Sequence, residues 1–218
     1  MDSHESADGT PRVVVVDDHD VFRQGLVKLL GEHQLDVVGE AADGEQALKA
    51  VSRLAPDVVV MDLSLPRLSG LETIGRLGLV APSARVLVLT ISADEVDVTK
   101  AILAGACGYL LKDASIEQIV DGIRAAAAGE SLISSKVATT LLERVRSTGV
   151  ETSERVELSE REVEVMRLVA EGMDNTAIGQ ALFISPQTVK NHISNILTKL
   201  QMDNRIQAAV YAVRRGLV

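Results

Sequence analysis

Four short apolar runs, each stopping at a polar residue, constrain this chain more than any other feature. They are Val13–Val16 before Asp17, Val58–Met61 before Asp62, Val86–Leu89 before Thr90, and Tyr109–Leu111 before Lys112. Val37 and Val38 predict a fifth. Runs this short and rich in β-branched residues fit strands buried on both faces, as a parallel sheet requires. Between them lie segments of helical length: Phe22–Leu30 before Gly31, Gly44–Leu54 before Pro56, Leu71–Leu77, Val96–Leu103 before Gly105, and Ile116–Ala128 before Gly129. Ser115 and Gln118 form a capping-box pair at the start of the last. The alternation predicts an α/β doubly wound parallel sheet of five strands with right-handed crossovers over residues 12–128.

From Leu158 the pattern is helical only. Ser159 with Glu162 makes a second capping box, opening a helix to about Ala170 that Gly172 ends. Further helices are expected over Asn175–Leu182, Pro186–Leu200 and Arg205–Arg215, so residues 158–218 read as an all-α domain of four helices. Residues 1–11 carry three acids and no base and read as disordered. Residues 129–157 read as a linker, with a connecting helix expected over 135–146 (Val137, Leu141 and Val145 on one stripe) before a flexible stretch over 147–157.

Composition narrows the function. With no Trp, two Tyr and two Phe, the cores must be aliphatic, which argues against an aromatic-lined pocket for an apolar ligand. The single Cys107 cannot form an intrachain disulfide and reads as a small buried residue. No run reaches the ~20 apolar residues of a membrane span, and the N-terminus lacks the basic-then-apolar pattern of a signal peptide, so a cytoplasmic protein is expected. The net charge of −9 is uneven. Residues 12–128 hold 11 Lys+Arg against 17 Asp+Glu, a balance of −6, whereas residues 158–218 hold 7 against 6, a balance of +1. A near-neutral C-terminal domain is a weak electrostatic footprint for DNA, so binding there would lean on dimerisation and specific contacts as well as phosphate attraction.

In a parallel sheet Asp17, Asp18, Asp62, Thr90 and Lys112 all fall at C-terminal strand ends, the edge where open α/β sheets build their sites. Three carboxylates in one crevice repel one another and call for a cation, and Mg²⁺ with its preference for oxygen ligands meets that need. An aspartate there can accept a phosphoryl group if the phosphoryl oxygens are neutralised and held in line. Lys112 supplies positive charge, and Thr90 can hydrogen-bond a phosphoryl oxygen and move in doing so. His19 beside the acids reads either as a metal ligand or as a polar residue at a helix start.

Asp17–Asp18, Asp62 followed by Leu63-Ser64-Leu65-Pro66, Ser69–Gly70, Thr90, and Gly108-Tyr109-Leu110-Leu111-Lys112-Asp113 together resemble the receiver domain of two-component response regulators of the NarL/FixJ family. The resemblance implies Asp62 as phosphoacceptor and a metal set of Asp17, Asp18, Asp62 and the Ser64 carbonyl. It also implies Thr90 and Lys112 as phosphoryl contacts and Tyr109 as an aromatic that rotates inward when Thr90 shifts. Asp113 stands where many receivers have Pro, which leaves the lysine's role intact.

Residues 158–200 resemble the LuxR-type helix-turn-helix, and the likeness extends to Val218. Ser185 suits the N-cap and Pro186 the first position of the 186–200 helix. Val189, Ile193, Ile196, Leu197 and Leu200 fall on one side of it as a core face. The other side carries Gln187, Asn191, Ser194, Asn195 and Thr198, flanked by Lys190 and Lys199. Amides and hydroxyls without acids suit base edges and phosphates in a major groove. The resemblance makes Lys190 and Asn191 the leading DNA contacts, with Thr188 and Ser194 nearby, and the paired amides point to adenine reading by Asn191 or Asn195. The last helix is expected to expose Gln207, Val210, Tyr211 and Arg214, either as a dimerisation surface or, for Val210, as domain core.

The reading is a phosphorylation-dependent transcriptional regulator rather than an enzyme, although the receiver is expected to assist its own phosphorylation and dephosphorylation. Its expected partners are a sensor histidine kinase and double-stranded promoter DNA, bound as a homodimer, with no membrane. A phosphatase or phosphotransferase working through an aspartyl phosphate is the alternative from another class, but the chain lacks the DxD nucleophile signature. A constitutive DNA-binding protein with a vestigial receiver is the third reading.

Overall fold

The computed structural model describes residues 10–92, 94–130, 158–202 and 204–217. The expected disordered N-terminus up to residue 9 and the connecting helix expected over 135–146 lie outside them. The chain divides into two compact units, one ending at Leu132 and the other beginning at Ile133.

The first unit alternates strictly: β1 (Arg12–Val16), α1 (Asp20–Glu32), β2 (Asp36–Ala41), α2 (Gly44–Leu54), β3 (Val58–Met61), α3 (Gly70–Val80), β4 (Arg85–Thr90), α4 (Glu95–Leu103), β5 (Gly108–Leu111) and α5 (Ile116–Ala127). All strands are parallel, in the order β2-β1-β3-β4-β5. The valines of β1 and β3 are buried on both faces, as their unbroken apolar runs require. On one face Val13, Val15, Val58 and Val60 form a core with Leu26, Leu30, Leu87, Leu89, Ile119 and Ile123. The strand order reverses between β1 and β3, so the crossovers leave opposite faces there and open a crevice at the carboxyl ends of those two strands. Val16 pairs with Met61, and the Asp62 N–H donates to the Val16 carbonyl at 2.9 Å, which sets Asp17 and Asp62 side by side.

The structure moves some boundaries. β2 extends well past the two expected valines through Gly39 and Glu40, because an edge strand with a half-exposed face need not be apolar throughout. α3 runs to Val80 instead of Leu77; its last turn exposes Leu79 and Val80, so no apolar stripe marks it. α3 starts at Gly70, capped by Ser69 and Glu72 in a capping box. A Cβ on Gly70 would come within 2.3 Å of the Asp62 carbonyl oxygen, so glycine is what lets this helix begin directly over the end of β3.

The second unit contains α6 (Glu160–Ala170), α7 (Asn175–Leu182), α8 (Pro186–Leu200) and α9 (Arg205–Arg214). Both expected capping boxes, at Ser115 and at Ser159, are present. Val165, Met166, Val169, Ile178, Val189, Ile193, Ile196, Ala208 and Ala212 form its core. Leu197 and Leu200 pack against that core only partly buried. The turn between α7 and α8 is tight: Phe183 is left-handed at φ 56°, and the Ile184 N–H returns to the Gly179 carbonyl at 2.9 Å. A Cβ on Gly179 would stand 2.7 Å from the Ile184 oxygen, so this turn also requires glycine.

Candidate functional site

The crevice collects the polar residues that end the strands. Asp17 follows β1 and Asp62 follows β3, each 2% exposed, while Asp18 is open to solvent. Lys112, directly after β5, is carried inward by its backbone, whose N–H donates to the Thr90 carbonyl at 2.9 Å. Its Nζ lies 2.6 Å from Asp17 Oδ2 and 2.8 Å from Asp62 Oδ2. Burial alone would lower the Lys112 pKa, but hydrogen bonds to the two carboxylates and their charge outweigh it and hold the ammonium above its ordinary value. Asp62 Oδ1 accepts the Ser64 N–H at 3.3 Å, the start of the loop that leads to α3.

One ammonium is shared by two buried carboxylates, with a third carboxylate at the rim. Ligand atoms of Asp17, Asp18, His19 and Asp62 all lie within 4.8 Å of one another, so the cluster can hold a cation. The carboxylate oxygens are hard donors of the kind that take a small divalent ion. His19 fits the helix-start reading: it is the N-cap residue of α1, its N–H donates to Asp17 Oδ1 at 2.9 Å, and its Nδ1 lies 2.8 Å from Asp18 Oδ1.

Thr90 and Tyr109 meet at a common partner. Thr90 is fully buried and its Oγ1 accepts the Ser92 N–H at 3.4 Å; the Tyr109 hydroxyl donates to the Ser92 carbonyl at 2.8 Å. The Tyr109 ring is fully buried. Burial, reinforced by the negative charge of Asp97, pushes its phenol up to about 12.

Two residues that sequence reasoning passed over complete the pocket. Arg23, one turn into α1, donates from Nη1 to the Asp17 carbonyl at 2.6 Å, from Nη2 to Asp20 at 2.6 Å and from Nε to Glu40 at 3.2 Å, tying the β1–α1 loop to β2. Phe22 places its ring centroid 4.7 Å from Lys112 Nζ. No periodicity signals either contact.

In the second unit, α8 begins as expected. Ser185 accepts the Thr188 N–H at 3.1 Å and Pro186 fills the first turn. Gln187, Lys190, Asn191, Ser194, Asn195 and Thr198 are exposed on it, and Thr188 is half-buried. Gln187 donates to Asn191 Oδ1 at 3.2 Å, so the two amides are held together on the surface. Lys199 differs from the flanking ammonium expected on this face: its Nζ is 2.7 Å from Glu162 Oε1, tying the end of α8 to the start of α6. That ion pair holds the Glu162 carboxyl below its usual range.

The α9 expectation needs correction. Gln207, Val210 and Tyr211 are half-buried rather than exposed, and Tyr211 packs against the domain core with the Arg215 guanidinium 5.3 Å from its ring. Tyr211 adds apolar area to a small aliphatic core, whereas Phe183, the other aromatic of this domain, is 95% exposed.

Comparison with known proteins agrees with both units. Residues 13–124 match the family described as response regulator receiver domain, and residues 156–212 match the luxR family of bacterial regulatory proteins. The transcriptional regulatory protein LiaR of Bacillus subtilis is 42% identical over 208 residues, covering 95% of this chain and 99% of that one. The crystal structure of response regulator ChrA, from a heme-sensing two-component system, aligns with a TM-score of 0.53 at 36% identity, covering 96% of this chain and 100% of the other. A structure of the response regulator RcsB in complex with DNA aligns with a TM-score of 0.57 at 25% identity, covering 96% and 99%. Taken with the strand order and the acidic crevice, these matches show that the chain belongs to the two-component response regulators, as a receiver domain followed by a LuxR-type domain of transcriptional regulators.

Proposed function

We propose that Asp62 accepts a phosphoryl group from a sensor histidine kinase and that the phosphorylated chain binds promoter DNA through α8 as a homodimer. One observation carries the receiver half: a buried aspartate at the strand-order reversal whose carboxylate shares a single lysine ammonium with a second buried aspartate. An Asp62 carboxylate oxygen attacks phosphorus, the bond from phosphorus to the donor atom breaks, and the donor leaves with the electron pair. Lys112 turns from the Asp62 carboxylate to a phosphoryl oxygen. Asp17, Asp18, Asp62 and the Ser64 carbonyl would hold Mg²⁺, which when bound neutralises the phosphoryl oxygens. In this way the receiver assists its own phosphorylation and dephosphorylation.

Thr90 gives up the Ser92 N–H to reach a phosphoryl oxygen, and Tyr109, held by the carbonyl of the same Ser92, feels that exchange directly. A pocket event thus becomes a rearrangement of the segment leading to α4. At the other end, Thr188, Lys190, Asn191, Ser194 and Asn195 face the major groove, with Lys190 as the leading phosphate contact. The RcsB–DNA complex supports this use of the domain. Lys199, engaged by Glu162, reaches a phosphate only by exchanging that partner. The half-buried Gln207, Val210 and Tyr211, with Arg214, line the helix through which two copies would pair on DNA. No described helix is long and apolar enough to cross a membrane, in keeping with action on DNA in the cytoplasm.

Incubating the full chain with acetyl phosphate and Mg²⁺ tests the receiver half. A hydroxylamine-sensitive adduct is expected in wild type and not in Asp62→Asn; equal labelling of the two refutes Asp62 as acceptor. For the DNA half, Asn191→Ala is expected to lose ~1–3 kcal/mol of discrimination between A·T and G·C operator variants. Unchanged discrimination removes Asn191 as a base reader.

A further inference from the structure

Lys112 is held on three sides. Two are carboxylates, at 2.6 and 2.8 Å, and the third is the face of Phe22, whose ring centroid is 4.7 Å from Nζ. Phe22 sits in the first turn of α1 and packs partly buried against the receiver core, so the helix fixes the ring. The Lys112 side chain is only 11% exposed. Each side does something different. A carboxylate fixes the ammonium through a directed hydrogen bond, whereas an aromatic face attracts positive charge through its quadrupole, without accepting a directed bond. An ammonium held over a ring face keeps that hold while it exchanges one hydrogen-bond acceptor for another. Phosphoryl transfer asks this of Lys112, which must leave the Asp62 carboxylate and meet the arriving phosphoryl oxygens without passing into water.

We propose that Phe22 is a positioning residue for phosphoryl transfer: its ring face holds the Lys112 ammonium inside the pocket while that ammonium moves from Asp62 to the phosphoryl group. The proposal rests on the reading of Asp62 as acceptor. The step it serves balances simply. With acetyl phosphate as donor, an Asp62 oxygen forms a bond to phosphorus, the phosphorus–oxygen bond to the acetyl group breaks, and acetate leaves with the electron pair. Phe22 takes part in no bond. It raises the fraction of molecules in which the positive charge is already in place, and preorganised charge lowers the barrier where mobile charge does not.

The chain has two phenylalanines, and the other, Phe183, is 95% exposed in the second unit. In a full-length Phe183→Leu background, global replacement of phenylalanine by its 4-fluoro, 3,5-difluoro and 3,4,5-trifluoro analogues therefore alters the receiver at Phe22 alone. Fluorine withdraws electron density from the ring face while nearly preserving its shape. The first-order rate constant of phosphorylation by acetyl phosphate at saturating Mg²⁺ is expected to fall stepwise along the series. The total fall is roughly 3- to 30-fold, the range that a partly desolvated cation–π contact converts to. The unfolding midpoint is expected to stay constant. Phe22→Tyr should resemble wild type, and Phe22→Leu the trifluoro form.

A rate that is flat across the fluorinated series overturns the proposal and leaves the acceptor reading untouched. Absence of any adduct on wild-type Asp62 overturns the acceptor reading, and with it this role for the ring. Without a phosphodonor, the Lys112 ε-methylene proton resonances are expected upfield of an ordinary lysine because of the Phe22 ring current, and back at ordinary positions in Phe22→Leu; ordinary positions in wild type overturn the contact itself.

Discussion

Lys112 is the residue on which the receiver pocket balances, since its ammonium is what allows Asp17 and Asp62 to lie buried together. Replacing it by methionine keeps most of the volume and leaves two carboxylates facing each other. Lys112→Met is expected to cost about 3 kcal/mol of receiver stability by urea unfolding, because removing one partner of a buried pair strands the other charge. Added Mg²⁺ should recover most of that loss, and the phosphorylation rate should fall roughly 100-fold, as when one preorganised donor is removed. Tyr109 sets a different limit. Its folded pKa of about 12 lies above the 10.0 of a free phenol, so the unfolded chain ionises first and stability falls as pH rises between those values. Tyr109→Phe should flatten that alkaline limb; an unchanged slope would show that the phenol is not the group responsible. The strand-end polar residues were legible because each stands where an apolar run stops abruptly. Arg23 and Phe22 were not, since their partners Glu40 and Lys112 sit on other elements and neither contact leaves a periodic trace.

Elements were readable to the extent that burial wrote a pattern into them. β1 and β3, buried on both faces, matched their apolar runs, while the edge strand β2 and the solvent-facing end of α3 did not announce their lengths. Helix starts were clearer than helix ends, because Ser115, Ser159 and Ser185 each supply a side-chain acceptor to the first turn. The Lys199–Glu162 pair was invisible, its partners being 37 residues apart. It makes α8 depend on α6: the Glu162 carboxyl titrates below its free value of 4.5, so the pair stabilises the domain above that pH and the stabilisation is lost as pH falls through the folded value. Lys199→Gln should lower the melting temperature at pH 7 and weaken its dependence on pH in the acid range, as calorimetry of the full chain would show. The α7–α8 turn gives a sharper test. Gly179→Ala forces a Cβ to within 2.7 Å of the Ile184 oxygen and is expected to destabilise the helical domain by about 1–3 kcal/mol and to abolish DNA binding. Asp62 phosphorylation should be untouched, since that chemistry lies wholly within the other unit.

The whole molecule joins an acidic receiver to a near-neutral helical domain, and neither unit's charge alone explains a switch. A formal charge balance of +1 over residues 158–218 makes nonspecific attraction to DNA weak, so in the proposed function a second copy and specific contacts would supply affinity. That arrangement suits control, because a phosphorylation that favours pairing then changes occupancy more than it would for a strongly basic domain. The proposed link between the ends is thermodynamic: if Asp62 phosphorylation favours the DNA-bound form, DNA must equally favour phosphorylation. The central claim is tested most directly by the dissociation constant of the full chain for a two-half-site promoter duplex, measured with and without beryllofluoride plus Mg²⁺, in wild type and Asp62→Asn. Wild type is expected to bind roughly 10-fold tighter with beryllofluoride, within the usual range of allosteric coupling, and Asp62→Asn to show no change. Equal affinity of wild type in both conditions would contradict the account.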